Sequence, residues 1–195
     1  MKKLFLAAVS IFLIFSADAL AQTSFQFEGF TIEPNSHFIE EQEFNTKIKS
    51  AITLLKEKAP EEFKIMQSVI VKVRATQISG ANFNEKDMTI DIAKRTFDAS
   101  LEWLTSVLIH ETQHIKKYKD TGKKFGDTHK MSDKRAALHI MIAEELECNK
   151  IQLIVLEKVG GSQFEIDYLR AQKGDHFDID KDGDYDVDDY LNRTW

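Results

Sequence analysis

Apolar residues return at helical spacing in three stretches of the chain and alternate with polar residues in two others, and together these rhythms predict an α+β fold. Over residues 40–58, Phe44, Ile48, Ala51, Ile52 and Leu55 recur at intervals of three and four, which predicts an amphipathic helix ending before Pro60. Over residues 68–76, Val69, Val71 and Val73 alternate with Ile70, Lys72 and Arg74, and residues 88–92 (Met-Thr-Ile-Asp-Ile) alternate again. β-branched residues in that rhythm predict strands, paired like a hairpin across a turn at residues 80–86. Residues 99–119 then turn helical. Leu101, Leu104, Leu108 and Ile115 form one stripe, with Trp103, Val107, His110 and His114 beside it, until Thr121-Gly122 ends the helix. After a polar connection, Ser132-Asp133 can cap a further helix over residues 133–159 that stops at Gly160-Gly161. Earlier, Phe25, Phe27 and Phe30 are spaced for a short strand that Pro34-Asn35 breaks.

Residues 1–21 follow neither rhythm. Lys2 and Lys3 precede an almost unbroken apolar run over residues 4–15, and Ala19-Leu20-Ala21 presents small residues where a signal peptidase reads. Cleavage is expected before Gln22, giving a secreted or periplasmic product. The run falls short of the roughly eighteen apolar residues that span a bilayer, so no stable membrane insertion is expected afterwards. Loss of Lys2, Lys3 and Asp18 leaves 174 residues and moves the formal charge from −6 to −7. An acidic surface argues against nucleic acid as a partner, because phosphate binding needs a basic face. The one cysteine, Cys148, excludes an intramolecular disulfide.

The inward-facing stripe of the 99–119 helix contains His110-Glu111-Thr112-Gln113-His114. Histidines four residues apart project from one helix face, close enough to grip one metal ion. This is the H-E-x-x-H pattern, with two imidazoles on zinc and the glutamate as general base to a zinc-activated water. A catalytic zinc takes a third protein ligand, and the next long helix places Glu144 and Glu145 among apolar residues, including Leu138, Met141, Ile142 and Leu146. A carboxylate on an apolar stripe needs a cation or a hydrogen-bond partner, and periodicity alone leaves both glutamates open.

The pair of segments, HETQH and then Glu145-Leu146-Glu147-Cys148-Asn149 with Leu156 and Gly160 beyond, resembles the gluzincin type of metallopeptidase, particularly small bacterial zincin domains. The resemblance covers roughly residues 89–160. In those families the second segment reads E-x-x-A-[DN], which implies Glu145 as the third zinc ligand and Asn149 as the residue steadying a ligand histidine. Cys148 stands where alanine is usual, and Asn149 where aspartate is commoner. Asp120 is a rival third ligand, but Lys117 occupies the position where the pattern placing a ligand there needs glycine; His129 and His139 rank lower. Tyr118, His129, His139 and Tyr168 are candidates to stabilise a tetrahedral oxyanion.

The acidic C-terminus reads DIDKDGDYDVDD over residues 178–189. Asp178, Asp180, Asp182, Asp186 and Asp189 fall at positions one, three, five, nine and twelve of an EF-hand loop, with Gly183 at six and Asp184 offering its backbone carbonyl at seven. Aspartate at the last position resembles dockerin-like loops and implies weak Ca2+ affinity, suited to the outside of a cell. Residues 164–173 can supply an entering helix.

The resulting expectation is a signal peptide at residues 1–21, a zincin-like metallopeptidase domain at 22–160 and an EF-hand-like calcium segment at 161–195. In fold it is a small β-sheet followed by two long metal-binding helices, with Zn2+ and Ca2+ as cofactors and a peptide or protein as substrate. The alternative is a non-enzymatic, metal-stabilised module that binds a partner in a calcium-dependent way.

Overall fold

The computed structural model describes residues 24–84, 87–123, 132–175, 178 and 180–183, so the expected signal peptide lies outside the described residues. The phenylalanine-rich arm forms a hairpin of β1 (Phe25–Phe27) and β2 (Phe30–Glu33), turned at Glu28 and Gly29, both with positive φ. Helix α1 (Glu41–Lys58) follows, its first turn closed by the Glu40 carboxylate accepting from the amides of Gln42 and Glu43. Pro60 both stops this helix and opens α2 (Pro60–Val69), where its missing N–H would have had no helical partner anyway. Helix α2 takes up the first residues of the expected 68–76 strand, and β3 is confined to Lys72–Ala75.

The expected pairing of the valine strand with residues 88–92 is real but parallel. Residues 80–84, expected as turn, form β4 (Gly80–Asn84), and it is β4 that runs antiparallel to β5 (Asp87–Ile92). The sheet order is β1-β2-β3-β5-β4, with β2, β3 and β5 mutually parallel. Gly-Ala-Asn-Phe-Asn alternates only briefly, Ala81 and Phe83 packing against the core between residues typical of turns. Strand β5 is therefore interior, and β4 forms the sheet edge on that side, opposite β1.

Alternation sorts the sheet into two faces. Phe30, Ile32, Val73, Ala75, Ile90 and Ile92 are buried against the helices. The opposite face carries rungs of charge, Lys72 between Glu33 (2.8 Å) and Asp87 (2.7 Å), and Arg74 on Asp91 (2.8 Å). After the short α3 (Lys94–Asp98) come α4 (Leu101–Thr121), α5 (Lys134–Val159) and α6 (Gln163–Ala171). Ser100 caps α4 by accepting from the Trp103 amide at 2.9 Å, and Asp133 caps α5 through the Ala136 amide. Gly122 and Gly160 end the two helices in the left-handed conformation, as expected. Among the described residues no helix is long and apolar enough to cross a membrane.

Candidate metal centre

Leu104, Leu108 and Ile115 bury one stripe of α4 in the core, which turns the neighbouring stripe, Val107, His110 and His114, toward α5. Gln152 of α5 donates to Ser106 Oγ at 3.3 Å and ties the two helices together about one turn from the histidines. His110, His114 and Glu145 are all nearly inaccessible to solvent.

Three side chains converge. His110 Nε2 lies 3.2 Å from His114 Nε2, and the Glu145 carboxylate lies 3.3 Å from each of them, through Oε2 and Oε1 respectively. Ligands about 2.0–2.1 Å from a tetrahedral ion are separated by roughly 3.3–3.4 Å, so each of these separations has the length of one edge of such a site, with a different Glu145 oxygen facing each histidine. Glu145 Oε2 is buried and makes no hydrogen bond, although His110 Nε2 is beside it. The two Nε2 atoms and the carboxylate thus lie within contact distance of one another in one buried place. A buried carboxylate and two imidazoles in one place need a shared positive charge, which either a proton on His114 or a bound cation can supply.

Cys148, the residue standing where alanine is usual, is a buried free thiol beside the histidines. With His110 and His114 it forms a group whose ligand atoms lie within 4.8 Å of one another and that could hold a metal ion. Its sulfur lies 3.7 Å from His114 Nδ1, on the far side of the ring from the Nε2 that meets Glu145. Glu144 Oε1 is nearer to the same nitrogen, at 3.1 Å, and Glu144 Oε2 is 3.3 Å from Lys117 Nζ. Lys117 also reaches Glu147 at 3.1 Å.

The carboxylate against His114 Nδ1 is thus Glu144. Asn149, expected to steady a ligand histidine, lines the adjacent cavity with no hydrogen bond to either ring, and His110 Nδ1 is buried with no hydrogen-bond partner among the described residues. Both glutamates left open by periodicity are used, Glu145 facing the two Nε2 atoms and Glu144 behind His114.

The charges follow from this packing. Burial pushes the Glu145 carboxyl up, but His110 and His114 against it hold it well below the usual carboxylate range. Burial likewise disfavours a charged His114, yet its contacts with Cys148, Glu144 and Glu145 raise it well above an ordinary histidine. Burial raises the Glu111 carboxyl, with His110 and His114 opposing.

Glu111 and His110 open into a cavity of about 510 Å³ that Asn149 and Tyr168 also line. Tyr168 is the one oxyanion candidate on this wall: Tyr118 packs edge-on against Phe83 at 5.3 Å, His139 is exposed on α5, and His129 lies outside the described residues. Asp120 is exposed at the end of α4 and paired with Lys116 at 2.6 Å, away from the triangle.

After α6 the chain returns over α5. Gly174, at φ +73°, passes so close that a Cβ there would lie 2.9 Å from the Ile142 carbonyl oxygen and 3.3 Å from the Glu145 Cβ. Beyond it, Asp178, Asp180 and Asp182 bring carboxylate oxygens within 4.8 Å of one another, with Lys181 and Gly183 at positive φ. Asp184, Asp186 and Asp189 lie outside the described residues. Comparison with protein families, curated proteins and solved structures returns no match to this chain.

Proposed function

We propose that the chain is an exported, gluzincin-type zinc metallopeptidase whose acidic C-terminal segment binds calcium as a structural clamp. The observation that carries this reading is the convergence of His110 Nε2, His114 Nε2 and the Glu145 carboxylate at tetrahedral-edge spacing, with Glu111 opening into the adjoining cavity. Zinc held by these three residues supplies Lewis-acid chemistry, acidifying a water and polarising a peptide carbonyl. Glu111 takes the water's proton and returns it to the departing amine, and burial raises its basicity in the direction that work requires. Glu144 keeps the proton on His114 Nδ1, so that Nε2 is the ligating nitrogen. The open edge of β4, which packs along α4, offers backbone groups to an extended peptide.

Metal analysis with a peptide-cleavage screen on wild type and Glu111→Gln tests the proposal. About one zinc per chain in both, with cleavage only in wild type, is the expected outcome. Equal hydrolysis by the two proteins would refute it. The second reading, a non-enzymatic binding module, draws on the aspartate cluster. It requires no turnover on any peptide and partner binding that tracks calcium, whereas the clamp requires only that millimolar calcium raise the melting temperature.

A further inference from the structure

The cavity beside Glu111, at about 510 Å³, falls within the roughly 300–1,000 Å³ typical of small-ligand sites. Its charged side chains are few and come from different elements: Glu111 stands beside His110 on α4, Glu165 on α6, and Arg95 in the last turn of α3. Among the described residues that line it, Arg95 is the single lysine or arginine, in a chain whose formal charge is −6. A protein of net negative charge repels anions, so a cation on a cavity wall decides where one can rest.

The acids around Arg95 have work of their own. Glu165 accepts from the Ser162 amide at 2.9 Å, from the Ser162 hydroxyl at 2.8 Å and from the hydroxyl of Ser100, the cap of α4. Asp98, the acid of α3, is held by Lys94 at 2.7 Å. A guanidinium carries five N–H donors in a planar fork, so Arg95 can engage a neighbour and still offer two parallel bonds to a carboxylate. Thr96 and Ser79, the residue before β4, add a hydroxyl pair 2.7 Å apart, and Ser79 Oγ also accepts from the Ala93 amide at 2.8 Å. Two hydroxyls bring two hydrogens and their mutual bond uses one, which leaves the other to be donated into the cavity that both residues line. Charge and hydrogen-bond donors thus gather on the wall that α3 supplies.

We propose that Arg95, with the Ser79 and Thr96 hydroxyls, forms a subsite for a carboxylate of the substrate and so sets where along a peptide the cut falls. The proposal rests on the hydrolase reading for the word substrate, and on the donors themselves for the chemistry. The carboxylate is the C-terminal one of a peptide or the side chain of an aspartate or glutamate, which the same donors hold alike. Hydrogen bonds to a charged group are worth about 10–150-fold in binding, and a neutral amide of the same shape forfeits most of that.

Two measurements on the full-length mature protein test it. In the first, zinc-loaded wild type cleaves two pairs of synthetic peptides: one sequence with a free or an amidated C-terminus, and one amidated sequence with a single internal glutamate or glutamine. In one pair the carboxylate member should show a KM lower by at least about tenfold. Arg95→Gln should raise that KM to the level of the neutral member and leave the neutral member's own KM within about twofold. A response in the first pair identifies a C-terminal carboxylate, and one in the second an acidic side chain. Equal KM values within both pairs overturn the proposal, as does a preference that survives Arg95→Gln, which is what a carboxylate bound only to the metal would give. In the second, calorimetric titration follows the same peptides onto Glu111→Gln and onto the double variant Glu111→Gln, Arg95→Gln. Binding of a carboxylate member tighter by at least about tenfold, and lost in the double variant, is expected; equal or absent binding overturns the proposal. Should no peptide be cut at all, the hydrolase reading falls while this titration still decides the subsite. Arg95 is exposed, so its replacement leaves the chain folded.

Discussion

Glu144→Gln isolates the carboxylate behind His114. In the native protein Glu144 Oε1 lies 3.1 Å from His114 Nδ1, and its other oxygen is held by Lys117 at 3.3 Å. A hydrogen bond to a charged group contributes about 1.5–3 kcal/mol, and outer partners of metal-bound histidines typically change metal affinity about 10–100-fold. Glutamine preserves an acceptor but not the charge, so the low end applies, about tenfold weaker zinc or ~1.4 kcal/mol. Glu144→Ala removes the carboxylate 3.1 Å from His114 Nδ1 altogether and should cost about 100-fold, or ~2.8 kcal/mol. Asn149→Ala, which breaks no hydrogen bond to a ligand, should stay within about twofold of wild type. Competition for zinc against a chromophoric chelator at neutral pH measures all three. Glu144 variants that hold zinc as tightly as wild type, or an Asn149→Ala variant that loses it tenfold, would show that the wrong side chain has been placed behind the ligand.

Three further outcomes follow from the same geometry. Cys148→Ala should still bind about one zinc per chain, because the sulfur sits on the Nδ1 side of His114; loss of the metal would make it a ligand. In the metal-free protein His114 is raised well above 6.5, so its contribution to stability is complete below that value and is lost as pH rises through the folded-state pKa. Glu145 is held well below 4.5, so its contribution is present above that value and is lost as pH falls through its folded-state pKa. Calorimetry in chelator should therefore show a melting temperature that falls on the alkaline side, while zinc affinity rises over the same range; a flat alkaline profile would contradict the pairing. Ser100→Ala removes both the α4 cap and the bond to Glu165 and should cost ~1–2 kcal/mol in urea unfolding, against no measurable change if neither bond matters in solution.

The long helices were legible because their periodic stripes run for many turns and their ends carry Ser100, Asp133, Gly122 and Gly160. Strand β4 was not, since its alternation is limited to Ala81 and Phe83 among Gly80, Asn82 and Asn84, which read as turn residues. The parallel course of β3 and β5 was also hidden, because alternation names the buried face of a strand and not its partner or direction. At the metal centre, His110 and His114 were fixed by their four-residue spacing on one helix. Glu145 needed a resemblance in addition, as Glu144 is one residue away on the same helix. The separate task of Glu144 depends on where Lys117 and His114 stand across the helix pair, a relation between segments about thirty residues apart that no local pattern records.

Gly174 has a consequence for how much of the chain the metal needs. Its backbone lies against the turn of α5 that bears Glu145, where any side chain would collide with Ile142 and Leu146. A protease cut just before Gly174 would bare that turn to water while leaving His110, His114 and Glu145 in place, and under the proposed zinc reading the ion would then exchange with the medium faster. On that reading the acid-rich tail sets how long the metal is kept without touching it.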